Sequence, residues 1–330
     1  MSTVQREQYL YLTSYIRAKE TRLLTGERLL RMAESADFDE AARLLTDCGY
    51  PELSGVSDRE LEAALTRHRE EVFHELEGLC PEKDLVTAFR IRYDYHNAKT
   101  LIKAEAARTD GAPLLSESGR VPLKKILDAF ADDSWSDIPP TLAQSVRKAR
   151  AVMARTGNPQ LADITLDKAY FAELRTIAAS LSTDFYSGYV RLSIDLANLR
   201  TAVRCLRGHM DRGILEAAFI PGGSFSLDRL ESTADNGFSG LFRGRSLTGA
   251  AELGQAAVEG ASLAPFERAC DNALTDYLRD AKMESFGPAA VVSYLACLEG
   301  ELIAVRMILL GKRAELPADT LKERLRDSYV

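Results

Sequence analysis

The chain has 330 residues, 46% hydrophobic and 28% charged, which is apolar material for two or three ordinary domains. Its 42 Lys and Arg against 49 Asp and Glu leave a net charge of −7, which argues against a general nucleic-acid binder. Five scattered cysteines (Cys48, Cys80, Cys205, Cys270, Cys297) contain no C-x-x-C pair, which argues for reduced cytosolic thiols and against a disulfide framework or zinc site.

The N-terminus, MSTVQREQYLYL, lacks the apolar core of a signal peptide. A short helix-turn pattern, FDEAARLLTDCGYPEL, is followed by the heavily charged helical stretch TRHREEVFHELEG. Within it Glu71 and His74 have the i, i+3 spacing of a di-iron ligand pair. That chemistry needs two such motifs and two further carboxylates, so this stretch reads as a solvated helix face.

RYDYHNAKTLIKAE, residues 92–105, reads as one helix, with Val86, Phe89, Tyr93, Leu101 and Ala104 recurring at three- to four-residue steps. Asp94 and Asn97 interrupt that apolar seam. A buried amide costs about 2–7 kcal/mol unless paired. The two side chains are therefore expected to bond free backbone groups or an Arg on a facing helix, fixing register more than adding stability. His96 beside them reads as a core or interface residue.

Breaks follow at 108–119 and 208–224, where Gly, Pro and Ser accumulate. Between them lie VPLKKILDAFADDSW, a Pro-Pro pair (Pro139, Pro140) suited to opening a helix, and LDKAYFAEL. IDLANLRTAVR then repeats the earlier helix: Asp195, Asn198, Arg200, Thr201 and Arg204 match Asp94, Asn97, Lys99, Thr100 and Lys103 at the same offsets. A third copy, EGELIAVRMILLGK, puts Glu301 in the acidic place and Arg306 in the basic one, with Ala304 for Asn. The period is roughly a hundred residues, too long for a short-repeat solenoid.

The Gly-rich stretch 236–249 is expected to be a long irregular loop. It is no phosphate-binding P-loop, because Ser239 stands where the first Gly belongs and Arg245 where Lys belongs. FIPGGSFS has no nucleophile elbow, and no Ser/His/Asp set has supporting context. The apolar run AAVVSYLACL is about half a membrane span and is followed by Glu299 and Glu301.

These patterns predict an all-α protein of three similar helical domains, 1–110, 111–212 and 213–330, with no catalytic, cofactor or metal site. Their Lys/Arg and Asp/Glu counts are 16 against 21, 14 against 11 and 12 against 17, so a cationic middle is flanked by acidic thirds. Lys99, Lys103, Arg200, Arg204, Arg207 and Arg306 form a recurring basic stripe. Cations there complement a helix C-terminus by about 0.3–1 kcal/mol; they are also the candidate partner contacts. Asp94, Asn97, Asp195, Asn198 and Glu301 are the candidate structural polar network.

The opening YLYLTSYIRAKETRLLTGERLLRMAESADFDEAARLLTDCGY, the segments YDYHNAKTLIKA and IDLANLRTAVR, and GPAAVVSYLACLEGELIAVRMILLGK together resemble the C subunits of bacterial and archaeal V/A-type rotary ATPases, relatives of the d subunit of the eukaryotic vacuolar ATPase. The resemblance spans about Tyr9 to Lys312. It implies a funnel- or socket-shaped helical protein with pseudo-three-fold symmetry. Such a protein is non-catalytic and couples the central stalk to the membrane rotor ring, transmitting torque for ion transport. The implied partners are the proteolipid ring, the D and F subunits of the central stalk and, transiently, the membrane stator, with no nucleic acid or small-molecule substrate. The implied location is cytoplasmic, peripheral on the inner face of the plasma membrane through the rotor. The alternative is a helical-repeat scaffold or adaptor outside rotary ATPases.

Overall fold

The helix-forming segments all fold as α-helices; several present one apolar face, while Asp84–Ala107, Asp184–Arg207 and Pro288–Arg313 are buried around much of their circumference. The computed structural model describes residues 7–330 except 182, 235, 236, 243 and 244. It is 75% helical, with fifteen α-helices and no strand among the described residues. In chain order these are α1 (Leu10–Glu20), α2 (Gly26–Glu34), α3 (Phe38–Arg43), α4 (Asp58–Leu79) and α5 (Asp84–Ala107). Then come α6 (Leu123–Asp132), α7 (Pro140–Thr156), α8 (Pro159–Ser180), α9 (Asp184–Arg207) and α10 (Arg212–Ala218). The last five are α11 (Leu227–Ala234), α12 (Arg245–Val258), α13 (Leu263–Arg279), α14 (Pro288–Arg313) and α15 (Ala318–Arg324).

Local chemistry sets the ends. Ser57 and Glu60 close a capping box on α4, and Asn158, Thr183 and Ser262 cap α8, α9 and α13. Pro140, Pro159 and Pro288 open α7, α8 and α14 at the first turn, where no amide donor is needed.

The three long helices that carry the repeat, α5, α9 and α14, hold the core together. Leu85–Phe89 of α5, Tyr186–Ile194 of α9 and most of α14 share one apolar cluster with α1–α4 and α15. Further along, Ile91–Ile102 of α5 join α6–α8 in a second cluster. Leu196–Cys205 of α9 join α10–α13 in a third. The long helices thus meet in their N-terminal halves and diverge in their C-terminal halves.

The termini close on each other. Ser328 Oγ donates to the Leu24 carbonyl at 2.7 Å, Tyr329 Oη to Glu20 at 3.0 Å, and the Gly287 amide to Thr13 at 3.2 Å. α14 has the length and mean hydropathy, 1.5, of a membrane span, but 72% of its apolar window is buried against the rest of the fold, as in a core helix.

Two expectations need correction. The stretch 236–249 is not a long loop: residues 238–241 make a 3-10 turn and α12 begins at Arg245, while 236, 243 and 244 lie outside the described residues. Further along α12 a glycine serves packing. A β-carbon on Gly254 would stand 3.0 Å from both Phe266 and Val203, so its absence lets α12 close on α9 and α13. Of the two places expected for His96, core or interface, the core is excluded: it is exposed, and its Nε2 meets the Leu114 carbonyl at 2.9 Å.

Candidate functional site

The polar residues of the repeat do the same job in α5 and α9. In α5 the Asn97 side-chain amide donates to the Ser116 carbonyl and accepts from the Ser116 amide, both at 2.8 Å. In α9 the Asn198 amide makes the same pair of 2.8 Å bonds with Ile220. One side chain thereby replaces a strand neighbour, satisfying both polar groups of one loop residue.

The acidic residue one turn earlier takes the next stretch of the same loop. Asp94 accepts from the Val121 amide at 3.0 Å and from Arg120 Nε at 3.1 Å; Asp195 accepts from the Ser224 amide and hydroxyl, each at 2.7 Å. Arg120 also reaches Glu173 of α8 at 2.7 Å, and Glu173 accepts from Tyr95 at 2.9 Å. Burial pushes the Asp94 carboxyl up to about 6 and raises that of Asp195, against the lowering effect of these donors.

In α14 the acid is Glu301, and the segment it holds is the N-terminal one. Its carboxylate accepts from the Leu24 amide at 2.5 Å and from the Tyr50 hydroxyl at 2.7 Å. Desolvation pushes this carboxyl up to about 7. Beside it lies a cavity of about 140 Å³ whose lining includes Lys19, Arg22, His68, Glu71 and Glu75. The His68 ring stacks on Tyr50 with centroids 4.6 Å apart, and burial holds its pKa below the usual histidine value. Ala304 offers no amide, and here Lys312 Nζ bonds the Ser35 carbonyl at 2.5 Å.

All six cations of the basic stripe have partners within the chain. Lys99 and Lys103 reach Asp167 and Asp163 of α8 at 2.5 and 3.1 Å. Arg200 binds Glu267 and Asp271 of α13 at 2.7 and 2.5 Å, and Arg204 shares Glu267 at 2.7 Å. Arg207 donates to the carbonyls of Ala257 and Ala261 at the end of α12. Arg306 reaches Glu62 of α4 at 2.5 Å. Each long helix is therefore tied to the helix that precedes the next long helix, and the last tie returns to the start of the chain.

Where the long helices begin to part, Arg92, Ser193 and Glu299 stand two residues before the three anchoring acids. Two of these equivalents approach each other: Arg92 lies 4.0 Å from Glu299, which is buried and held by Arg69 Nε at 3.0 Å and Tyr93 Oη at 2.6 Å. Tyr170 of α8 and Tyr189 of α9 also face Arg92, whose side chain remains 44% exposed. This is a charged, aromatic meeting point of five helices, α4, α5, α8, α9 and α14. Among the described residues no three His, Cys, Asp or Glu side chains are grouped to hold a metal ion, and the five cysteines are unpaired.

The sequence profile of the ATP synthase (C/AC39) subunit family matches residues 12–324. The chain belongs to that family, the C subunits of V/A-type ATPases. The C subunit of the Enterococcus hirae V-type sodium ATPase is 25% identical over 325 residues, covering 98% of this chain and 99% of the relative. Its counterpart in the Thermus thermophilus V-type ATP synthase is 26% identical over 321 residues, 93% and 94% of the two chains. Its counterpart in the Methanocaldococcus jannaschii A-type ATP synthase is 22% identical over 345 positions, 96% and 86%. In this C/AC39 protein, sequence reasoning missed the loop glycines that make the anchors possible. A β-carbon on Gly119 would stand 2.5 Å from Asp94 Oδ1, and one on Gly223 would stand 2.2 Å from Asp195 Oδ1. The available signal was a Gly at a similar distance after each repeated Asp.

Proposed function

We propose that the chain is the non-catalytic rotor component that joins the central stalk to the membrane rotor ring and carries torque between them. One observation carries the reading: three long helices are each pinned through an acid to a neighbouring segment and through a cation to a neighbouring helix, in a cycle that returns to the N-terminus. A part that transmits rotation must resist relative turning of its own helices, and cross-ties in a closed cycle do that. A pseudo-three-fold, funnel-like body of three helical units (1–110, 111–212 and 213–330 in sequence) suits a partner lying on its axis.

In this reading the funnel floor near Arg92 and Tyr189 faces the D and F subunits of the stalk. The opposite rim seats on the proteolipid ring, with the membrane stator touching it only in passing. Lys103, Arg204 and Arg306, with side chains 45%, 60% and 57% exposed, retain surface for a partner beyond their internal ion pairs. Lys99, Arg200 and Arg207 act chiefly as ties. The protein has no substrate of its own and sits peripherally on the inner face of the plasma membrane, held by the ring.

The test is reconstitution. Purified protein mixed with detergent-solubilised ring and the central-stalk pair should run as one ternary complex on size exclusion, each binary pair also forming. Binding to neither component would overturn the assignment.

A further inference from the structure

The antiparallel hairpin of α7 and α8 carries a groove of about 650 Å³ on one side. Its walls follow helical periodicity: Thr141, Ser145, Lys148, Val152 and Arg155 on α7 face Leu161, Thr165, Lys168 and Ala172 on α8. The α7 wall runs from Thr141 to Arg155, which is about 21 Å of groove at the helical rise. The floor is apolar and shallow-walled, with Val152, Leu161 and Ile164 alongside Ala169, Ala172 and, from α10, Ala217.

Charge sets this groove apart. Lys148, Arg155 and Lys168 line it, and no Asp or Glu does. None of the three cations has an ion pair or side-chain hydrogen bond among the described residues, whereas all six cations of the repeated stripe are satisfied within the chain. The cavity beside Glu301 mixes both signs, and the one beside Arg313 sets Asp37, Asp39, Asp58 and Glu60 against that single cation. The hairpin turns at Gly157, so Lys148 and Lys168 stand at the same level on opposite walls, and Arg155 lies two turns away toward the turn. Desolvation lowers the Lys168 pKa, a sign that its ammonium group is already partly withdrawn from water. Like charges placed at one level with no counter-charge are a cost to the isolated chain that an anionic occupant removes.

We infer that the α7/α8 groove is a docking site for an acidic amphipathic helix of a partner protein. Its apolar face would lie on the Val152–Ile164–Ala172 floor, with carboxylates about seven residues apart meeting Lys148/Lys168 at one level and Arg155 at the other. A helix fits better than a lipid surface because the site is concave and elongated, and because alanines along its floor let a backbone come close. The inference stands apart from the rotor assignment, since it rests on no contact with the long helices' meeting point.

The probe is a fluorescein-labelled peptide of about 16 residues, with leucines on one helical face and glutamates at positions i and i+7, added to the full-length protein. Anisotropy should show saturable binding that weakens at least ten-fold when salt rises from about 50 to 500 mM. Binding should fall by a similar factor for the same peptide with Gln in place of Glu. K148E/K168E should reduce affinity at least ten-fold with circular dichroism unchanged and melting temperature little altered, because neither the exposed Lys148 nor the half-buried Lys168 makes an ion pair or hydrogen bond among the described residues. Ala172→Trp, which fills the floor without altering charge, should also reduce it. Equal affinity of the Glu peptide for K148E/K168E and wild type, or no binding to wild type, would overturn the proposal. So would preferential, lysine-dependent binding of phosphatidylglycerol vesicles over the peptide, which would make the groove a headgroup site.

Discussion

Each anchoring side chain satisfies a backbone group that no other described residue bonds. Asn97→Leu or Asn198→Leu leaves an amide and a carbonyl unpaired and should cost about 2–4 kcal/mol in guanidinium titrations, with helicity retained. Gly223→Ala should be destabilising by about 1–3 kcal/mol, because its β-carbon would collide with the Asp195 carboxylate. Gly300→Ala, in the interior of α14 with nothing within 4 Å of the added carbon, should instead stabilise by about 0.5–1 kcal/mol. A comparable loss for Gly300→Ala would show that helix packing, not the anchor, is being measured. Glu301 adds a pH dependence. Its carboxyl holds its proton to about pH 7 in the folded chain and to about 4.5 when unfolded. The folded state therefore binds more protons in that window, so stability from this group is complete below about 4.5 and is lost as pH rises through 7. Gln at 301 can still accept from Leu24 and donate to Tyr50 without carrying charge. Melting temperatures of wild type relative to Glu301→Gln should fall between about pH 4.5 and 7 and level off above that; parallel curves would disprove the assignment.

At the scale of helices, the cations that spacing marks as candidate partner contacts also tie elements together. Lys99 to α8, Arg200 and Arg204 to α13, and Arg306 to α4 each link a long helix to a neighbour. Such partly exposed pairs are individually worth about 0–1 kcal/mol, more where one Arg serves two carboxylates. Arg200→Glu should therefore lower the melting temperature, because it faces Glu267 and Asp271 as a third negative charge. Lys99→Asp should do the same, and adding Asp167→Lys should restore most of the loss. A double-mutant cycle with no coupling between 99 and 167 would mean that the pair does not bind α5 to α8 in solution. The sequence displayed these cations because helical spacing is local and periodic. It could not show their partners, which lie 67 residues away for Arg200 with Glu267 and 244 for Arg306 with Glu62.

At the scale of the molecule, the chain is closed by its tail. Beyond α15, Arg326 Nε binds Asp271 at 2.6 Å, Ser328 binds Leu24 and Tyr329 is buried against Glu20. The same N-terminal segment is held by Glu301, so the tail and α14 grip residues 20–24 from two sides. Removing residues 325–330 should lower the melting temperature by several degrees and raise hydrogen exchange in α1 while leaving α7 and α8 protected. Uniform loss of protection would mean that the tail supports the whole core and not the seam alone.

The sequence alone determined the all-α class, the recurrence of acid, amide and cation on three helices and, through that pattern, the family. Helical periodicity is written in neighbouring residues, and a repeated polar interruption of an apolar seam survives as identity at fixed offsets. Only the tertiary structure decided what those residues hold. The partners of Asn97, Asn198 and Glu301 are backbone groups of Ser116, Ile220 and Leu24, and a peptide amide looks the same under any side chain. Closure of the third helix onto the segment around Leu24 and Tyr50 is likewise a long-range contact, set by packing and invisible to any local pattern.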